Sequence, residues 1–340
     1  MEAFKSIIII FSLLCSANLF SINVSIVENK LFLDGEPLYM KGICYHPVPK
    51  GSTKRNFLTL EEDLVLMKEA GINTIRVYEP IDDINVLNAI NDANMKVVIS
   101  FGYNQNGIYD IISGTYIEYV KKYLDHDAII MWELGNEYNY NPQWFEGDID
   151  NWYRAMNQAS IKIQTIDKNR LVSSAHGDIP DSNALQLGSS INIWGVNIYR
   201  WDEPASVFDD WKAVSDKPIY FSEIGSDSYM TKSTNVYKIG INEKAQSDAN
   251  TIILNEIIDN VAFNEGAFIF QFADGLWKAG NPSIQDTGGS APNSDGTPYD
   301  GTANEEYWGI VDIDRRKKDT FYAIKNIYSE FRLEESSSKQ

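Results

Sequence analysis

Residues 128–137 read AIIMWELGNE, an apolar run that ends in the carboxylate of Glu137. Residues 217–225 read KPIYFSEIG, a second apolar run that carries a carboxylate, Glu223, near its end. Continuous apolar runs of this length are typical of strands that are buried on both faces, as they are in a parallel sheet. In barrel enzymes the catalytic groups lie at the carboxyl ends of such strands. The two stretches therefore predict a parallel β structure with two carboxylates at one rim.

Strand and helix signals alternate along the rest of the chain, without a repeat or a linker that would mark a second domain. The predicted strands span residues 39–43, 74–77, 97–101, 129–134, 171–174, 193–196, 219–222 and 267–270. Glu137 and Glu223, assigned to strands four and seven, are 86 positions apart (223 − 137), or about 29 residues per β/α unit against about 31 in a typical barrel. The sequence therefore predicts an α/β fold, a (β/α)8 TIM barrel.

Shorter segments outside the barrel strands also have readable patterns. Residues 24–40 alternate around two turns, which predicts a short N-terminal β-hairpin against the bottom of the barrel. Thr59 and Glu62 have capping-box spacing at the start of the first barrel helix. Residues 280–305 are polar and predict a surface loop at the catalytic rim, where a structural calcium ion stays an open question. Residues 334–340 are expected to form a disordered tail.

The N-terminal residues 1–17 have the pattern of a secretory signal peptide. Lys5 supplies the positive charge, residues 7–14 the apolar core, and residues 15–17 the cleavage site. The apolar core is too short to span a bilayer, so no stable membrane insertion is expected after cleavage. The sequence thus predicts a secreted protein, extracellular or periplasmic, with one catalytic domain at residues 18–333. An N-terminal anchor or an ordinary first strand is the alternative for these residues.

The composition restricts the class of ligand. The chain has 29 Lys and Arg against 48 Asp and Glu, a net charge of −19. This charge repels phosphate backbones, so nucleic acid is not expected as a partner, and it fits an uncharged substrate as well as simple solubility. The three histidines have no zinc-ligand spacing, and neither a metal nor a cofactor is predicted. Cys44, which remains after signal cleavage, is expected to pack in a strand.

A pair of carboxylates at one rim suits the cleavage of a glycosidic bond. One carboxyl must be protonated to donate to the leaving oxygen while the other is ionised, and two neighbouring carboxyls achieve this because each raises the pKa of its neighbour. When the nucleophile is esterified to the sugar its charge disappears, and the partner can then act as a base toward water.

The sequence resembles the clan A glycoside hydrolases over residues 36–330. Residues 40–43 (MKGI), 69–76 (EAGINTIR), 126–137 (HDAIIMWELGNE) and 222–225 (SEIG) are similar, in this order, to segments of the catalytic barrel of family 2 β-glycosidases. The resemblance implies that Glu137 is the acid/base and Glu223 the nucleophile. It also implies that Asn136 binds the sugar 2-hydroxyl and that Arg76 and Tyr199 hold Glu223. Trp277 would floor the site.

Further aromatic and histidine side chains follow the predicted strand ends. Aromatic rings stack on the apolar faces of sugars, so such side chains at the rim are candidate sugar contacts, although packing explains many of them equally well. The candidates are His46, Tyr78, Tyr103, Tyr138, His176 and Trp201.

The chain departs from family 2 because it begins almost at the barrel, without the preceding β-sandwich domains. A bare barrel with an aromatic rim favours an open cleft, and stand-alone clan A barrels of this kind resemble β-1,3-glucanases and glucanosyltransferases. The expected function is therefore a retaining, endo-acting β-glucanase on a β-linked polysaccharide or oligosaccharide. The alternatives are an exo-β-glycosidase of the galactosidase or mannosidase type, a β-glucan transglycosylase, and a non-catalytic carbohydrate-binding barrel.

Overall fold

The computed structural model describes residues 21–103, 108–289 and 299–333. The predicted signal peptide and the predicted tail lie outside these residues, and so does part of the 280–305 segment. None of the helices in the described ranges is long and apolar enough to cross a membrane.

The described strands and helices alternate as predicted. The strands are β1 (Val24–Val27), β2 (Lys30–Leu33), β3 (Glu36–Pro37), β4 (Met40–Cys44), β5 (Thr74–Val77), β6 (Lys96–Phe101), β7 (Ile129–Asn136), β8 (Leu171–Gly177), β9 (Ile193–Asn197), β10 (Ile219–Ile224), β11 (Tyr229–Met230), β12 (Gly240–Ile241) and β13 (Gly266–Ile269). The α-helices are α1 (Leu60–Glu69), α2 (Ile84–Asp92), α3 (Tyr116–Tyr123), α4 (Ile149–Ile166), α5 (Ser182–Leu187), α6 (Ser206–Val214), α7 (Glu243–Asp259) and α8 (Asp319–Glu330). Short 3₁₀-helices span Tyr138–Tyr140, Pro142–Phe145, Val261–Phe263 and Glu305–Tyr307.

The barrel consists of β4 to β10 and β13, and it is closed. Every neighbouring pair is parallel, each strand pairs with the next barrel strand in the chain, and β13 closes the ring against β4. One α-helix follows each barrel strand. The predicted (β/α)8 barrel is confirmed, and all eight predicted strands are present.

The apolar runs form strands because both faces of each strand are covered. In β7, Trp132 and Leu134 join the cluster between the barrel wall and the helices, whereas Met131 packs inside the barrel with Tyr220 and Phe268. All residues of β7 up to Gly135 are buried. Such two-sided burial requires the unbroken apolar pattern that the sequence shows.

The N-terminal segment forms a three-stranded antiparallel sheet, β1-β2-β3, so the predicted hairpin gains a short third strand. The backbone of this sheet forms hydrogen bonds with residues that precede barrel strands. The Val24 N–H donates to the Asn169 carbonyl at 2.7 Å, and the Leu31 N–H donates to the Glu265 carboxylate at 2.7 Å. The sheet therefore covers the amino-terminal end of the barrel, opposite the carboxylate rim.

The predicted capping box at Thr59 is wrong. Thr59 is the N-cap residue of α1, but its side chain makes no capping hydrogen bond. Its hydroxyl donates instead to the carboxylate of Asp63 at 2.9 Å, which also accepts from Tyr45 and Arg315. The Thr59 oxygen in turn accepts from Nη2 of Arg315 at 2.8 Å, so a charged donor takes the place that a backbone N–H has in a capping box.

Candidate active site

Glu137 and Glu223 lie at the carboxyl ends of the fourth and seventh barrel strands. β7 ends at Asn136, and Glu137 follows with a left-handed backbone (φ 53°). The Glu137 N–H donates to the Ala175 carbonyl of the neighbouring strand β8 at 3.0 Å, which fixes this turn. Glu223 lies within β10 and is paired with Asn197 of β9. Both carboxyls therefore face the same rim of the barrel.

The Glu223 carboxylate accepts hydrogen bonds from three side chains. Nη1 of Arg76 donates to Oε1 at 2.9 Å, the Tyr78 hydroxyl donates to the same oxygen at 2.7 Å, and the Tyr199 hydroxyl donates to Oε2 at 2.9 Å. Burial raises the pKa of both tyrosines well above the usual value, so both hydroxyls keep their protons and act as donors. The sequence resemblance predicted the contacts of Arg76 and Tyr199 with Glu223. Tyr78 was predicted only as a candidate sugar contact, because it is an aromatic side chain that follows a strand end.

Arg76 also pairs with a second carboxylate, Glu133, in the interior of the barrel. Nη2 of Arg76 lies 2.8 Å from Oε1 of Glu133, and Nε lies 3.0 Å from both carboxylate oxygens. Neither side chain has any exposed surface. Sequence reasoning missed Glu133, although a charge inside an otherwise apolar strand is a usable signal, because a buried charge needs a partner of opposite sign.

Glu137 has an environment that favours its protonated form. Burial raises the pKa of the Glu137 carboxyl to about 7, and the negative charge of Glu223 adds to the rise. A side-chain hydrogen bond with Asn197 and the charge of Arg76 act in the opposite direction but do not offset it. A carboxyl with this pKa is able to donate and to accept a proton near neutral pH.

Two asparagines connect the groups around the carboxyls. Oδ1 of Asn136 accepts from Nη2 of Arg76 at 2.8 Å and from Nδ2 of Asn197 at 3.2 Å. Oδ1 of Asn197 in turn accepts from the Ser222 hydroxyl at 2.6 Å. Because its oxygen is occupied, the amide group of Asn136 is oriented. Asn197 was not predicted; its position at the end of a buried strand was the available signal.

Several aromatic rings pack against the two tyrosines that contact Glu223. The Tyr78 ring packs against Phe270 (centroids 6.5 Å apart), and the Tyr199 ring packs against Trp308 (5.4 Å). Trp277 contacts His46 (5.1 Å), which contacts Tyr78 (6.3 Å). Trp277 therefore reaches the ring of Tyr78 through His46, whereas Phe270 and Trp308 contact the two tyrosine rings directly.

Three of the remaining candidates pack against other aromatic rings. Tyr103 and Tyr138 belong to one aromatic cluster, in which both rings pack against Phe145 and Trp152. Trp201 packs against Tyr299 at a centroid distance of 4.9 Å.

His176 is buried and has its hydrogen-bond partners on α4 and in the backbone. It is 7 % exposed, its Nε2 lies 3.2 Å from the hydroxyl of Tyr153 on α4, and its Nδ1 lies 3.0 Å from the Gly177 carbonyl. This ring fills the space between the barrel wall and α4, so its position does not support the expected sugar contact. No group of His, Cys, Asp or Glu side chains within residues 21–103, 108–289 and 299–333 could hold a metal ion.

Comparison with known proteins supports the fold and indicates a chemistry. No family model matches the sequence. The chain is 24 % identical over 281 residues to the 1,3-beta-glucanosyltransferase GAS4 of Saccharomyces cerevisiae, which covers 68 % of this chain and 57 % of that protein. It is 23 % identical over 286 residues to the 1,3-beta-glucanosyltransferase gel1 of Aspergillus fumigatus, which covers 70 % and 62 %. The chain thus spans less than two thirds of the length of these relatives.

Solved structures with the same barrel include a GH2 beta-galacturonidase from Eisenbergiella tayi, with a TM-score of 0.69, 21 % identity, and coverage of 92 % of this chain and 55 % of that one. A beta-glucuronidase from Faecalibacterium prausnitzii has a TM-score of 0.67, 19 % identity, and coverage of 92 % and 52 %. The chain therefore has a glycoside-hydrolase-like (β/α)8 barrel, and the predicted resemblance to clan A is confirmed at the level of the fold.

Proposed function

We propose that this protein breaks β-glycosidic bonds with retention of configuration, using Glu223 as nucleophile and Glu137 as acid and base. The observation that carries the proposal is the contrast between the two carboxyls. Glu137 has a pKa of about 7, whereas Glu223 accepts three hydrogen bonds from protonated donors, one of them a guanidinium. One carboxyl is thus suited to hold a proton and the other to stay an anion at the same pH.

In the first step an oxygen of Glu223 forms a bond to the anomeric carbon while the bond from that carbon to the leaving oxygen breaks. Glu137 gives its proton to the leaving oxygen. Arg76 and Tyr78 occupy Oε1, and Tyr199 occupies one side of Oε2. A carboxylate has about four lone-pair positions, so Oε2 keeps one for the attack.

In the second step the glycosyl ester is cleaved. Glu137 has been a carboxylate since the first step, and because the charge of Glu223 is now absent the pKa of Glu137 falls. Glu137 then accepts a proton from the attacking water or sugar hydroxyl. The oxygen of that acceptor binds the anomeric carbon, the ester bond breaks, and Glu223 returns as a carboxylate. Asn136, held by Arg76 and Asn197, is placed to bind the sugar 2-hydroxyl through its amide N–H.

The substrate class we propose is a β-1,3-linked glucan, because the relatives in sequence are named 1,3-beta-glucanosyltransferases. The site offers polar atoms suited to sugar hydroxyls: Nδ1 of His46, Nε2 of Gln271 and Nε1 of Trp308 are buried and have no hydrogen-bond partner in the structure. Buried polar groups are nearly always paired, so a ligand with several hydroxyls would satisfy them. Trp277, Tyr103, Tyr138 and Trp201 are proposed as contacts for sugars further from the cleaved bond.

We also propose that residues 1–17 direct secretion and that residues 18–333 act as one catalytic domain, which suits a polysaccharide found outside the cell. The pattern of a short apolar core flanked by Lys5 and small residues supports this proposal.

The direct test uses laminarin, lichenan, a soluble cellulose, xylan and mannan as substrates, with product sizes measured by chromatography. We expect laminarin to be cleaved, and ¹H NMR of the first products to show the β anomer. No cleavage of any glycan, or the α anomer as first product, would refute the proposal. The Glu223→Gln variant, purified in parallel, controls for contaminating glucanases.

Transfer to a second sugar is the alternative that the names of the relatives favour. Water and a sugar hydroxyl compete for the same glycosyl ester, so one experiment separates them. Hydrolysis of laminariheptaose yields only shorter products, whereas transfer yields both shorter and longer ones. Release of single sugars alone would instead indicate an exo-acting glycosidase.

A further inference from the structure

We propose that Glu133 is a positioning residue that serves as the permanent counter-ion of Arg76, so that Glu223 can lose its charge during the reaction. This inference rests on the proposed function, because it concerns the glycosyl ester formed at Glu223. Glu133 itself lies beneath the site and acts through Arg76.

Every hydrogen-bonding direction of Glu133 is used by the barrel. Oε1 accepts from Arg76 and from the Ser100 hydroxyl at 2.5 Å, and Oε2 accepts from Arg76 and from the Tyr220 hydroxyl at 2.6 Å. These partners come from strands β5, β6 and β10, and the side chain is 0 % exposed. Glu133 therefore has no free oxygen with which to bind a substrate, and its effect on chemistry passes through the guanidinium.

The guanidinium of Arg76 is divided between several acceptors, including the Ser222 carbonyl, which accepts from Nη1 at 3.2 Å. Glu133 holds the Nε and Nη2 edge, while Nη1 is directed at Glu223 and Nη2 also reaches Asn136. Because Arg76 presents a rigid planar fork, fixing one edge fixes the direction of the other donors. Glu133 thus aims Arg76 at the two groups that the proposed mechanism places against the sugar.

The charges around Arg76 change during the proposed reaction. Before attack, one guanidinium faces two carboxylates; after attack, Glu223 is a neutral ester. Without Glu133 the buried guanidinium would then have no carboxylate in direct contact, an unfavourable arrangement in a dry interior. With Glu133 present, Arg76 stays paired in both states, and the glycosyl ester is not destabilised.

Other titratable groups face the same cluster, and none of them replaces Glu133. Arg76 and Glu223 are also faced by Cys44, Tyr78, Tyr199 and Glu137, and Glu133 is faced by Tyr220. Burial raises the pKa of the Cys44 thiol to about 12 and raises the pKa of the tyrosines, so these groups stay neutral. Glu137 becomes a carboxylate when it gives up its proton, but its described hydrogen bond is with Asn197 and its effect on Arg76 is through charge alone. Glu133 is therefore the carboxylate in direct contact with Arg76 when Glu223 is esterified.

The test compares Glu133→Gln with Glu133→Asp and Ser100→Ala, after thermal unfolding has shown which variants fold. The glutamine removes the charge, the aspartate keeps it, and the alanine removes one hydrogen bond to Glu133 while leaving the charge. In Glu133→Gln the anion of Glu223 is the carboxylate left in contact with Arg76. We therefore expect the acid limb of the pH profile of kcat/KM to move to lower pH by about one unit. In Glu133→Asp and Ser100→Ala the acid limb of this pH profile should stay at the same pH as in the natural protein.

A second measurement follows the glycosyl ester itself. The proteins are inactivated with 2,4-dinitrophenyl 2-deoxy-2-fluoro-β-laminaribioside, and the return of activity is timed. Because the ester leaves Arg76 without a carboxylate in direct contact in Glu133→Gln, we expect the ester to form about tenfold more slowly or worse, and to break down faster than in the natural protein. A merely structural role would slow both steps or neither.

A third measurement does not depend on turnover. The carboxyl carbons of ¹³C-labelled glutamates are titrated by NMR, with the Glu223 signal assigned from Glu223→Gln. We expect its midpoint to be lower in Glu133→Gln than in the natural protein and unchanged in Glu133→Asp. If Glu133→Gln does not fold, an altered midpoint in Glu133→Asp would refute the proposal; if it folds, equal midpoints would refute it. Failure of the proposed function would appear separately, as a natural protein without turnover.

Discussion

Nη1 of Arg76 donates a hydrogen bond of 2.9 Å to Oε1 of Glu223, although the two residues are 147 positions apart in the chain. The guanidinium is completely buried and the carboxylate nearly so. Closure of the barrel brings β5 and β10 to opposite sides of the same interior, where the two side chains meet. Charge-assisted hydrogen bonds of this kind are strong in a dry interior, so the contact fixes the direction of the proposed nucleophile.

Replacing Glu223 with Gln removes the attacking anion but keeps the shape of the side chain. We expect turnover of laminarin to fall by a factor on the order of 10⁴ or more, because a neutral amide is not a nucleophile at this centre. Substrate binding, measured by calorimetry, should persist. Glu61→Gln, an exposed change on α1, is the matched control and should keep full activity. Activity of Glu223→Gln within tenfold of the natural protein would show that the assignment is wrong.

Replacing Glu137 with Ala removes the proton donor. We expect the rate on a polysaccharide to fall by about 10²–10⁴, since that is the usual contribution of general acid catalysis. A 2,4-dinitrophenyl glycoside has a leaving group that needs no proton, so its first step should be slowed far less. Pre-steady-state measurement of dinitrophenolate release gives that step directly, and an equal loss on both substrates contradicts the acid role.

The pH dependence of kcat/KM should reflect the raised pKa of Glu137. The first step needs the protonated carboxyl, which is the main form below its pKa of about 7 and becomes scarce above it. We therefore expect activity on laminarin to decline on the alkaline side with a midpoint near pH 7, by about tenfold per unit beyond it. With the dinitrophenyl glycoside this decline should largely disappear. A flat profile for laminarin up to pH 9 would exclude Glu137 as the acid.

Tyr78 and Tyr199 donate to different oxygens of Glu223, so replacing each in turn shows how much each hydrogen bond contributes to kcat. Tyr199→Phe removes the side-chain donor described for Oε2, whereas Tyr78→Phe leaves Arg76 on Oε1. We expect kcat to fall by about 10–10³-fold in both variants, and further in Tyr199→Phe. Tyr322→Phe on the exposed face of α8 is the control. Unchanged kcat in Tyr199→Phe would remove this tyrosine from the proposed site.

Asp227 should make the stability of the protein depend on pH. Burial raises its pKa to about 7 from an ordinary value of 3.8, while hydrogen bonds from Asn304 oppose the rise. Below pH 3.8 both folded and unfolded forms hold the proton; between pH 3.8 and 7 only the folded form does, so stability falls as the pH rises through this window.

The Asp227→Asn variant cannot ionise and should escape this loss. We expect its free energy of unfolding, relative to the natural protein, to rise between pH 4 and pH 8 by at most about 4 kcal/mol, the equivalent of about three pKa units. Urea unfolding at pH 4, 6 and 8 measures this difference. Asp209→Asn, at an exposed position on α6, should show no such trend. A constant difference across the pH range would rule out the ionisation of Asp227 as its source.

Prediction from the sequence was most successful where pattern and burial coincide. The barrel strands are apolar on both faces, so their positions follow from short unbroken runs such as residues 129–134 and 219–222. The prediction failed at Thr59, where local spacing indicated a capping box. The Thr59 hydroxyl bonds the buried carboxylate of Asp63 instead, and that carboxylate is held by Arg315, which is distant in the chain. Local spacing carries no information about such a neighbour.

The candidate site shows the same division. The strand-end carboxylates were readable because parallel strands place their ends at one rim, and the family resemblance supplied Arg76. Other side chains around the candidate site were not predicted. Glu133, Asn197, Phe270 and Trp308 come from different strands and loops, and only packing decides which of many rim side chains turn inward. His176 follows a strand just as Glu137 does, but its ring turns toward α4.

The sequence alone determined that eight buried strands would form a barrel and that two carboxylates would end strands four and seven, because burial on both faces demands an unbroken apolar pattern. Only the tertiary structure decided the protonation chemistry. The pKa of Glu137, the three donors around Glu223 and the sharing of Arg76 with Glu133 all depend on distances between side chains that are far apart in the chain, and these distances exist only once the barrel has closed.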